Sequence, residues 1–223
     1  MKKEFSARPA SLAKEMLIGG KVSWHEFVTA IPEPVFLVTG WKANGKENAC
    51  LQSWATFGGS GPDDFVCIMM KVNRHGHMYR SLKKTGVCVL NFPSHDIYGR
   101  CIKTIGNNQW ETDEITAAGL TAEPATKVNA PRIKECFLNI ECKFLWARKM
   151  HRGCGDMAVA VKAVNICMDS DRYDQSKLGR YGKSGYQFFN HGPFNPETEE
   201  MEQWGGNKIV TFEPAEPIPW ETK

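Results

Sequence analysis

The chain has 223 residues, which allows one large domain or two small ones. Hydrophobic residues make up 42% and charged residues 24%, as in average globular proteins, so extensive disorder is excluded. The net charge of +3 argues against a nucleic-acid or membrane-surface binder but permits a local anion pocket. No apolar run approaches the roughly 20 residues that span a bilayer. The amino terminus has no apolar stretch behind its charges, so we expect no secretory signal and a cytoplasmic location.

The chain contains eight cysteines, and none of them forms a C-x-x-C pair. Most lie within apolar runs, such as Cys67 between Val66 and Ile68. This pattern predicts reduced thiols that pack as small hydrophobic side chains in a reducing compartment. A zinc site or a redox pair remains the alternative.

The amino-terminal third predicts a short helix followed by a β hairpin. Residues 12–18 are preceded by Ser11 and followed by two glycines, which favours the helix. Residues 35–40 are rich in β-branched and aromatic side chains, and Asn44-Gly45 is a strong hairpin signal. The chain should return along 48–56. The glycine-rich run that follows, 57–64, predicts a loop.

The middle of the chain predicts alternating short strands and helices. Residues 65–72 are almost entirely apolar, as in a strand covered on both faces. Residues 77–84 predict a helix that ends at Gly86, and 87–92 predict another buried strand. Residues 94–119 predict two short helices, the second over 111–118.

The carboxy-terminal part predicts a long antiparallel hairpin. Residues 137–146 alternate between apolar and polar side chains, which indicates a half-buried strand with Asn139 and Glu141 on its polar face. A turn at 151–156 leads to a second long strand over 157–169. Beyond it, 170–208 predicts loops or short helix, including Tyr181 and Tyr186, and 209–212 predicts a last short strand.

Five or six strands with hairpin links and small helices predict a mainly β protein, an antiparallel barrel with short decorating helices. No glycine-rich dinucleotide fingerprint opens a helix after a strand. No linker divides the chain, so we expect one domain over 1–223, with its core at about 30–190.

Two polar stretches interrupt this apolar pattern, at 48–56 and at 71–77. In the predicted hairpin order they could meet at one end of the barrel. Their side chains suit a phosphorylated aromatic ligand, because a phosphate needs charge-assisted donors and a ring needs strand amides beside an apolar wall. The alternative is that they are ordinary strand residues and a solvated turn. Metal-ligand spacing and a serine nucleophile motif are both missing.

Four segments together resemble the flavin reductase-like FMN-binding proteins, most closely their flavoredoxin-like subgroup: 48–56, 60–68, 73–75 and 86–93. The resemblance implies a split β-barrel with Greek-key-like antiparallel strands, a homodimer, and noncovalent FMN near the dimer interface. It also implies that one strand contacts the flavin ring and ribityl chain while the turn before the helix contacts the phosphate. The residues that match these positions are Asn48, Cys50, Leu51, Gln52, Ser53, Trp54, Thr56, Asn73, Arg74, His75 and His77.

The chain departs from the resemblance in the long hairpin. Many members of the family carry Gly-Asp-His there, whereas this chain has Gly155-Asp156-Met157. The missing imidazole favours an electron carrier that is reduced by a protein over a reductase that oxidises NAD(P)H. A non-catalytic FMN sensor or store, and a pyridoxamine-phosphate oxidase-like enzyme, remain alternatives.

No side chain needs to act as an acid or base in the flavin chemistry, because the cofactor carries it. Three further groups are weaker candidates. His151 could lie at the barrel mouth, Trp110 could pack across a dimer, and three late aromatic residues could cover the flavin: Tyr181, Tyr186 and Phe189.

Overall fold

The computed structural model describes residues 2, 4–10, 12, 23–173, 185–190, 198 and 205–209. In this part of the chain, twelve strands and four α-helices form a mainly β fold. The strands are β1 Glu33–Pro34, β2 Phe36–Trp41, β3 Glu47–Gln52, β4 Ala55–Gly61, β5 Asp64–Asn73, β6 Val87–Phe92, β7 Ala122–Pro124, β8 Pro131–Ile133, β9 Leu138–Lys149, β10 Asp156–Met168, β11 Tyr186–Asn190 and β12 Gly205–Ile209. The helices are α1 Trp24–Thr29, α2 His77–Thr85, α3 Tyr98–Gly106 and α4 Glu114–Ala117.

A seven-stranded antiparallel sheet forms the body of the protein, in the order β3-β2-β6-β9-β10-β5-β4. The connection from β3 to β4 also bonds to β5, because Gln52 Nε2 donates to the Met70 carbonyl (2.8 Å) and Met70 N donates to the Trp54 carbonyl (2.8 Å). These bonds bring the two ends of the sheet together and curl it into a barrel. Its interior holds the largest apolar cluster, which includes Phe36 and Leu90.

The local signals in the sequence account for the first hairpin and for α2. Gly45 has φ +82°, which the tight turn between β2 and β3 requires. Helix α2 ends at Gly86, whose φ of +72° gives the left-handed cap and whose N–H donates to the Leu82 carbonyl. Both elements therefore confirm the predictions, as do β6 and the β9–β10 hairpin.

The predicted loop at 57–64 was wrong, because β4 occupies most of it. Phe57 pairs with Cys67 of β5, and the strand continues through three glycines to Gly61. A Cβ on Gly59 would lie 1.5 Å from the Asp64 carbonyl oxygen, so glycine allows the two strands to approach. Composition suggested a loop, whereas pairing with β5 decided the structure.

Two strands differ from their predicted exposure. Strand β5 is covered fully on one face only, since Cys67 and Met69 are buried (2% and 0%), whereas on the other face Val66 and Ile68 are half-buried and Met70 is 40% exposed. Conversely, β9 buries the polar side chains that we expected to face solvent. Glu141 accepts from the Thr126 and Lys127 amides (2.8 and 2.5 Å), and Asn139 Nδ2 donates to Asn91 Oδ1 (2.9 Å). The segment before β9 supplies the partners of Glu141, and the neighbouring strand β6 supplies Asn91.

The remaining differences concern the ends of the described region. Strand β11 begins at Tyr186, where we predicted loop or helix, and it pairs with β1. Helix α4 is shorter than the predicted 111–118. The predicted helix at 12–18 and residues 210–212 of the last predicted strand lie outside the described residues, apart from Leu12.

Candidate functional site

A cavity of about 350 Å³ lies between β3, the end of β5, the start of α2, and the α3–α4 region. This volume is within the range of small-molecule sites, about 300–1,000 Å³. The two polar stretches of the sequence meet here, as expected. Of the predicted site residues, the cavity is lined by Asn48, Cys50, Leu51, Gln52, Asn73 and His77.

The other predicted site residues lie outside the cavity lining. Ser53 Oγ donates to Glu33 Oε2 (3.0 Å), and Trp54 Nε1 donates to Glu26 Oε2 (2.8 Å). Thr56 is exposed on β4. The last two, Arg74 and His75, are exposed on the turn beside the cavity, where Arg74 Nε donates to His75 Nε2 (2.9 Å).

The outer edge of β3 directs backbone N–H groups towards this region. Two of them are already bonded, because Glu47 N donates to Asp113 Oδ1 (3.0 Å) and Ala49 N donates to Glu114 Oε2 (2.7 Å). In an antiparallel strand every second N–H points to the same side. The next N–H in this series belongs to Leu51, which lines the cavity. The strand therefore presents a backbone donor to whatever occupies the cavity.

Asn48 places a buried polar side chain in the cavity wall. Its exposed fraction is 2%, and within the described residues nothing hydrogen-bonds to its carboxamide. Its surroundings on the inner side are largely apolar and include Val38, Met78 and Leu82. Buried polar groups are normally satisfied, and an unsatisfied one costs about 1–3 kcal/mol. The Asn48 carboxamide is therefore a ready hydrogen-bonding group for a ligand.

The first turn of α2 opens onto the same cavity. A tight turn leads into it, in which Asn73 Oδ1 accepts from His75 N (2.9 Å) and Gly76 N donates to the Asn73 carbonyl (3.0 Å). The N-cap, Gly76, has no side chain to bond the first amides of the helix. Both His77 and Met78 line the cavity. The amides of this nine-residue helix, with its positive dipole end, favour an anion here.

A buried ionic network underlies one side of the cavity. Lys42 Nζ lies 2.8 Å from Glu114 Oε1, and both side chains are essentially inaccessible (0% and 1%). The ammonium also donates to the carbonyls of Gln109 and Thr112 (2.7 Å each). His77 Nδ1 lies 3.3 Å from the same Glu114 oxygen. Because a carboxylate only accepts, Nδ1 carries a proton in this contact.

Lys71 also lines the cavity, on a distorted part of β5. Its φ is +55°, and the register shifts here, since Val72 pairs with Met157 but Met69 pairs with Val159. A non-glycine residue in this conformation costs about 1–3 kcal/mol, and such strain clusters at functional sites. The bulge directs the Lys71 ammonium to Glu26 Oε1 (2.9 Å) and over the Trp54 ring (4.2 Å).

Two pKa shifts follow from these contacts. Burial raises the pKa of Glu26, but hydrogen bonds from the Ser23 amide, Lys71 and Trp54 outweigh it and lower the pKa overall. The Cys50 thiol keeps some solvent contact, yet its desolvation, together with the nearby Glu114 carboxylate, raises its pKa to about 12. Cys50 is therefore a neutral thiol in the cavity wall, not a nucleophile.

Sequence reasoning missed Lys42, Lys71 and Glu114. Lys42 and Glu114 are distant in the chain, and each resembles an ordinary surface residue in its local sequence. The backbone conformation of Lys71 results from a register shift between β5 and β10, which no local sequence pattern predicts. Only the position of Lys71 within the polar stretch 71–77 gave any signal.

The weaker candidates have different positions. Trp110 is partly exposed (38%) and packs edge-on against His77, with ring centroids 5.4 Å apart. His151 is exposed on the hairpin turn. Tyr186 packs against Phe137 in the barrel, and Phe189 pairs with β1. Tyr181 lies outside the described residues.

A second cavity, of about 370 Å³, has a purely aromatic and aliphatic character. It is lined by Phe57, Phe65, Phe92 and Tyr186, with four further apolar residues. No charged side chain lines it, so it offers no charged binding group for a phosphate.

The part of the chain that the structure describes holds no cluster of three metal-ligating side chains. None of its helices has the length and hydropathy needed to cross a bilayer.

The sequence model of the flavin reductase like domain matches residues 28–187. The chain belongs to this family. The resemblance noted in the sequence is thereby confirmed, and membership in the family implies a flavin cofactor.

Solved structures show that this member of the family has the split-barrel fold. Flavoredoxin of Desulfovibrio vulgaris (Miyazaki F) is 19% identical with a TM-score of 0.68, covering 97% of each chain. Nitrilotriacetate monooxygenase component B from Bacillus cereus is 16% identical with a TM-score of 0.73, covering 96% of this chain and 100% of its own. A split-barrel-domain protein from Shewanella frigidimarina is 15% identical with a TM-score of 0.66, covering 85% and 90%.

One curated relative matches by sequence, an uncharacterized protein from Methanothermobacter thermautotrophicus. It is 28% identical over 113 residues, which are 51% of this chain and 52% of that protein. The match therefore spans about half the length of the curated relative.

Proposed function

We propose that this flavin reductase-like protein binds FMN noncovalently in the cavity between β3 and α2. In this role it would pass electrons or hydride from a donor to an acceptor. The observation that carries the proposal is the Asn48 carboxamide, which is 2% exposed, faces the cavity, and has no partner within the described residues. A bound ligand with hydrogen-bonding groups would satisfy it.

The residues present fit a ligand with one anionic end. The first amides of α2 and the His77 side chain can bind a phosphate, and Arg74 and His75 lie on the adjacent exposed turn. Lys71 also lines the cavity, with its ammonium paired to Glu26 (2.9 Å). Of the two cavities described, this one alone is lined by such donors.

The same cavity fits a planar ring. Cys50, Leu51 and Ile105 supply apolar wall, and the Leu51 N–H supplies a backbone donor at the edge of β3. FMN carries the hydride or electron chemistry when bound, and it gains negative charge on reduction. A fixed N–H donor or the Lys71 ammonium close to that charge favours the reduced form. No side chain of this chain is needed as an acid or base.

The donor is proposed to be a redox protein rather than NAD(P)H. Met157 pairs with Val72, and Val72 lines the cavity, so the position of the missing family histidine lies beside the site.

We also propose a cytoplasmic homodimer with its interface near the cavity. Ile105 lines the cavity but is 64% exposed, and Trp110 is exposed beside His77. Such apolar exposure at a cavity mouth suits a protein partner.

Titration of flavin-free protein with FMN, followed by flavin fluorescence, tests the binding proposal. Asn48→Ala should weaken FMN binding about fivefold to tenfold, the worth of a neutral hydrogen bond. Thr56→Ala is the comparison variant, because Thr56 is exposed on β4 and outside the cavity lining. Absence of binding by the unaltered protein would refute the proposal. Equal losses in the two variants would refute the choice of cavity.

Anaerobic addition of NADH or NADPH to the FMN-loaded protein tests the donor. Slow or absent bleaching of the flavin band, with rapid reduction by dithionite, is expected for a carrier that receives electrons from a protein. Rapid bleaching by a nicotinamide would make the protein a reductase. Tight binding without exchange of electrons with any donor or acceptor would favour a sensor or store.

A further inference from the structure

We infer that a cationic surface beside the cavity docks an acidic redox protein, which delivers electrons to the site. The inference rests on the proposed function and names the kind of partner that the proposed carrier would meet. The surface, which we call the cationic rim, consists of five basic side chains on the turn before α2, on α2 itself and on the β9–β10 hairpin: Arg74, Arg80, Arg148, Lys149 and Arg152.

Strand pairing places the β9–β10 hairpin next to the cavity. Val72 lines the cavity and pairs with Met157 of β10, and Met157 pairs with Lys149 of β9. Because neighbouring strands are about 4.8 Å apart, the Lys149 backbone lies about 10 Å from that of Val72. The sulfur of Met150, the next residue along the chain, accepts from the Lys71 N–H (3.3 Å). The hairpin therefore contacts the cavity wall directly.

Helix α2 adds its cations on the same side. The Lys83 ammonium lies over the Phe144 ring of β9, 4.9 Å from its centroid. Arg80 is three residues earlier, so it lies on the same side of the helix and one turn closer to the cavity. Arg74 is exposed on the turn that joins β5 to α2. Two segments that are distant in the chain thus flank one side of the cavity mouth with positive charge.

The positive charge of the rim is unbalanced by neighbouring acidic residues. Residues 71–84 and 145–155 contain eight basic residues and no acidic one, in a chain with 28 basic and 25 acidic residues. The next acidic residue of the hairpin is Asp156, at the start of β10. All five rim side chains are exposed, and within the described residues no carboxylate pairs with any of them. An acidic surface could therefore pair with the rim without breaking an existing ion pair.

Apolar and aromatic groups within the rim favour a protein as its occupant over a nucleic acid. Met150 is 39% exposed at the hairpin, and the Arg148 guanidinium lies over the Trp146 ring (5.4 Å). Protein interfaces are enriched in methionine, arginine and aromatic residues, whereas nucleic-acid interfaces are more polar and more uniformly positive. Redox proteins in particular form small complexes whose encounter is steered by charge.

The rim is separate from the surface proposed for the homodimer. Ile105 and Trp110 belong to the α3–α4 side of the cavity, whereas the rim lies on the β5–α2 side. A docked partner would therefore cover the cavity edge that the homodimer leaves open. The reduced partner would be oxidised by giving up two electrons, which reduce the bound flavin, and the accompanying protons would come from solvent.

The experiment measures binding of a plant-type [2Fe–2S] ferredoxin, which is an acidic redox protein, to the FMN-loaded protein by isothermal titration calorimetry. Cytochrome c, a basic redox protein, is the charge control. At about 0.1 M salt, charges more than about 10 Å apart are largely screened, so local charge decides the result. The ferredoxin should bind about tenfold or more tightly than cytochrome c, and its affinity should fall as salt is added.

Reversal of two rim charges tests the position of the surface. Arg148→Glu combined with Lys149→Glu should lower the ferredoxin affinity about tenfold, since each reversal replaces an attraction by a repulsion. The FMN affinity should stay unchanged, because neither residue lines the cavity. The matched control is Lys127→Glu combined with Lys134→Glu, which makes the same change in net charge on exposed residues outside the rim. That control should keep the ferredoxin affinity.

Three results would overturn the inference: ferredoxin binding no tighter than that of cytochrome c, equal losses in the two double variants, or a DNA duplex that binds more tightly than the ferredoxin and is lost with the rim charges. The last result would make the rim a nucleic-acid surface. The same titrations on flavin-free protein keep this test distinct from the proposed function. Failure to bind FMN would refute that function, whereas ferredoxin binding would still report on the rim.

Discussion

Replacement of Asn48 by leucine should stabilise the flavin-free protein while it weakens FMN binding. The Asn48 carboxamide is buried among Val38, Met78 and Leu82, and within the described residues it has no hydrogen-bond partner. An unsatisfied buried polar group costs about 1–3 kcal/mol, and Asn48→Leu removes that cost and buries extra apolar surface. Some of the gain is offset by the bulkier side chain, so we expect a net increase of about 1 kcal/mol in the free energy of unfolding.

The effect on the ligand has the opposite sign. A leucine cannot donate to or accept from FMN, so the variant should lose about 1 kcal/mol of binding free energy, or about fivefold in affinity. Asn48 would thus lower the stability of the flavin-free protein and strengthen FMN binding. Such opposite effects are typical of binding-site residues, at which stability is lost in favour of function.

The assay is urea unfolding of flavin-free protein, followed by tryptophan fluorescence. The matched control is Asn139→Leu, because Asn139 is also buried (4%) but donates to Asn91 Oδ1 (2.9 Å) and to the Ile133 carbonyl (3.2 Å). That control should destabilise by about 1–3 kcal/mol, since it leaves its partners unsatisfied. If Asn48→Leu destabilises as much as the control does, the Asn48 carboxamide is satisfied within the protein and the reasoning is wrong.

Three further predictions concern the scaffold. Lys42→Met removes one partner of a buried ion pair and should lower the free energy of unfolding, measured in urea, by about 3–5 kcal/mol. Lys46→Met removes one partner of an exposed ion pair and should change the midpoint of urea unfolding little. Equal effects of the two substitutions would contradict the buried network. Gly59→Ala should destabilise the β4–β5 hairpin far more than Gly58→Ala in thermal unfolding, because a Cβ at 59 meets the Asp64 carbonyl oxygen and one at 58 meets nothing. Hydrogen bonds from the backbone and side chain of Ser60 lower the pKa of Asp64 to about 2. Asp64→Asn should therefore be less stable than the unaltered protein at neutral pH, and this difference in stability should close as pH falls from about 4 towards about 2. A difference that stays constant with pH would refute the shift.

The parts of the fold that the sequence predicted are those set by local chemistry. The Asn44-Gly45 turn and the helix end at Gly86 need backbone angles that few residue types adopt. The residue types at these positions therefore predict the turn and the helix end. Strand β4 was missed because its glycines are typical of loops, and only pairing with β5 makes them a strand. The polar face of β9 was placed in solvent because nothing nearby in the chain shows that another segment covers it.

The position of the site could be predicted from the sequence, but the side chains that set its charge could not. The order of the hairpins brought residues 48–52 and 73–77 together, and the cavity between them confirms that part. The side chains that set its charge were not predictable, because Lys42 and Glu114 meet only through the tertiary fold. The roles of individual residues towards FMN stay predictions.

The central claim is that the cavity between β3 and α2 holds the flavin, and nuclear magnetic resonance of 15N-labelled protein titrated with FMN tests it most directly. The claim predicts that the largest shifts fall on the amides of Leu51, His77 and Met78 and on the Asn48 carboxamide. Shifts confined to the aromatic cavity around Phe57 and Phe65, or no shifts at saturating FMN, would contradict it.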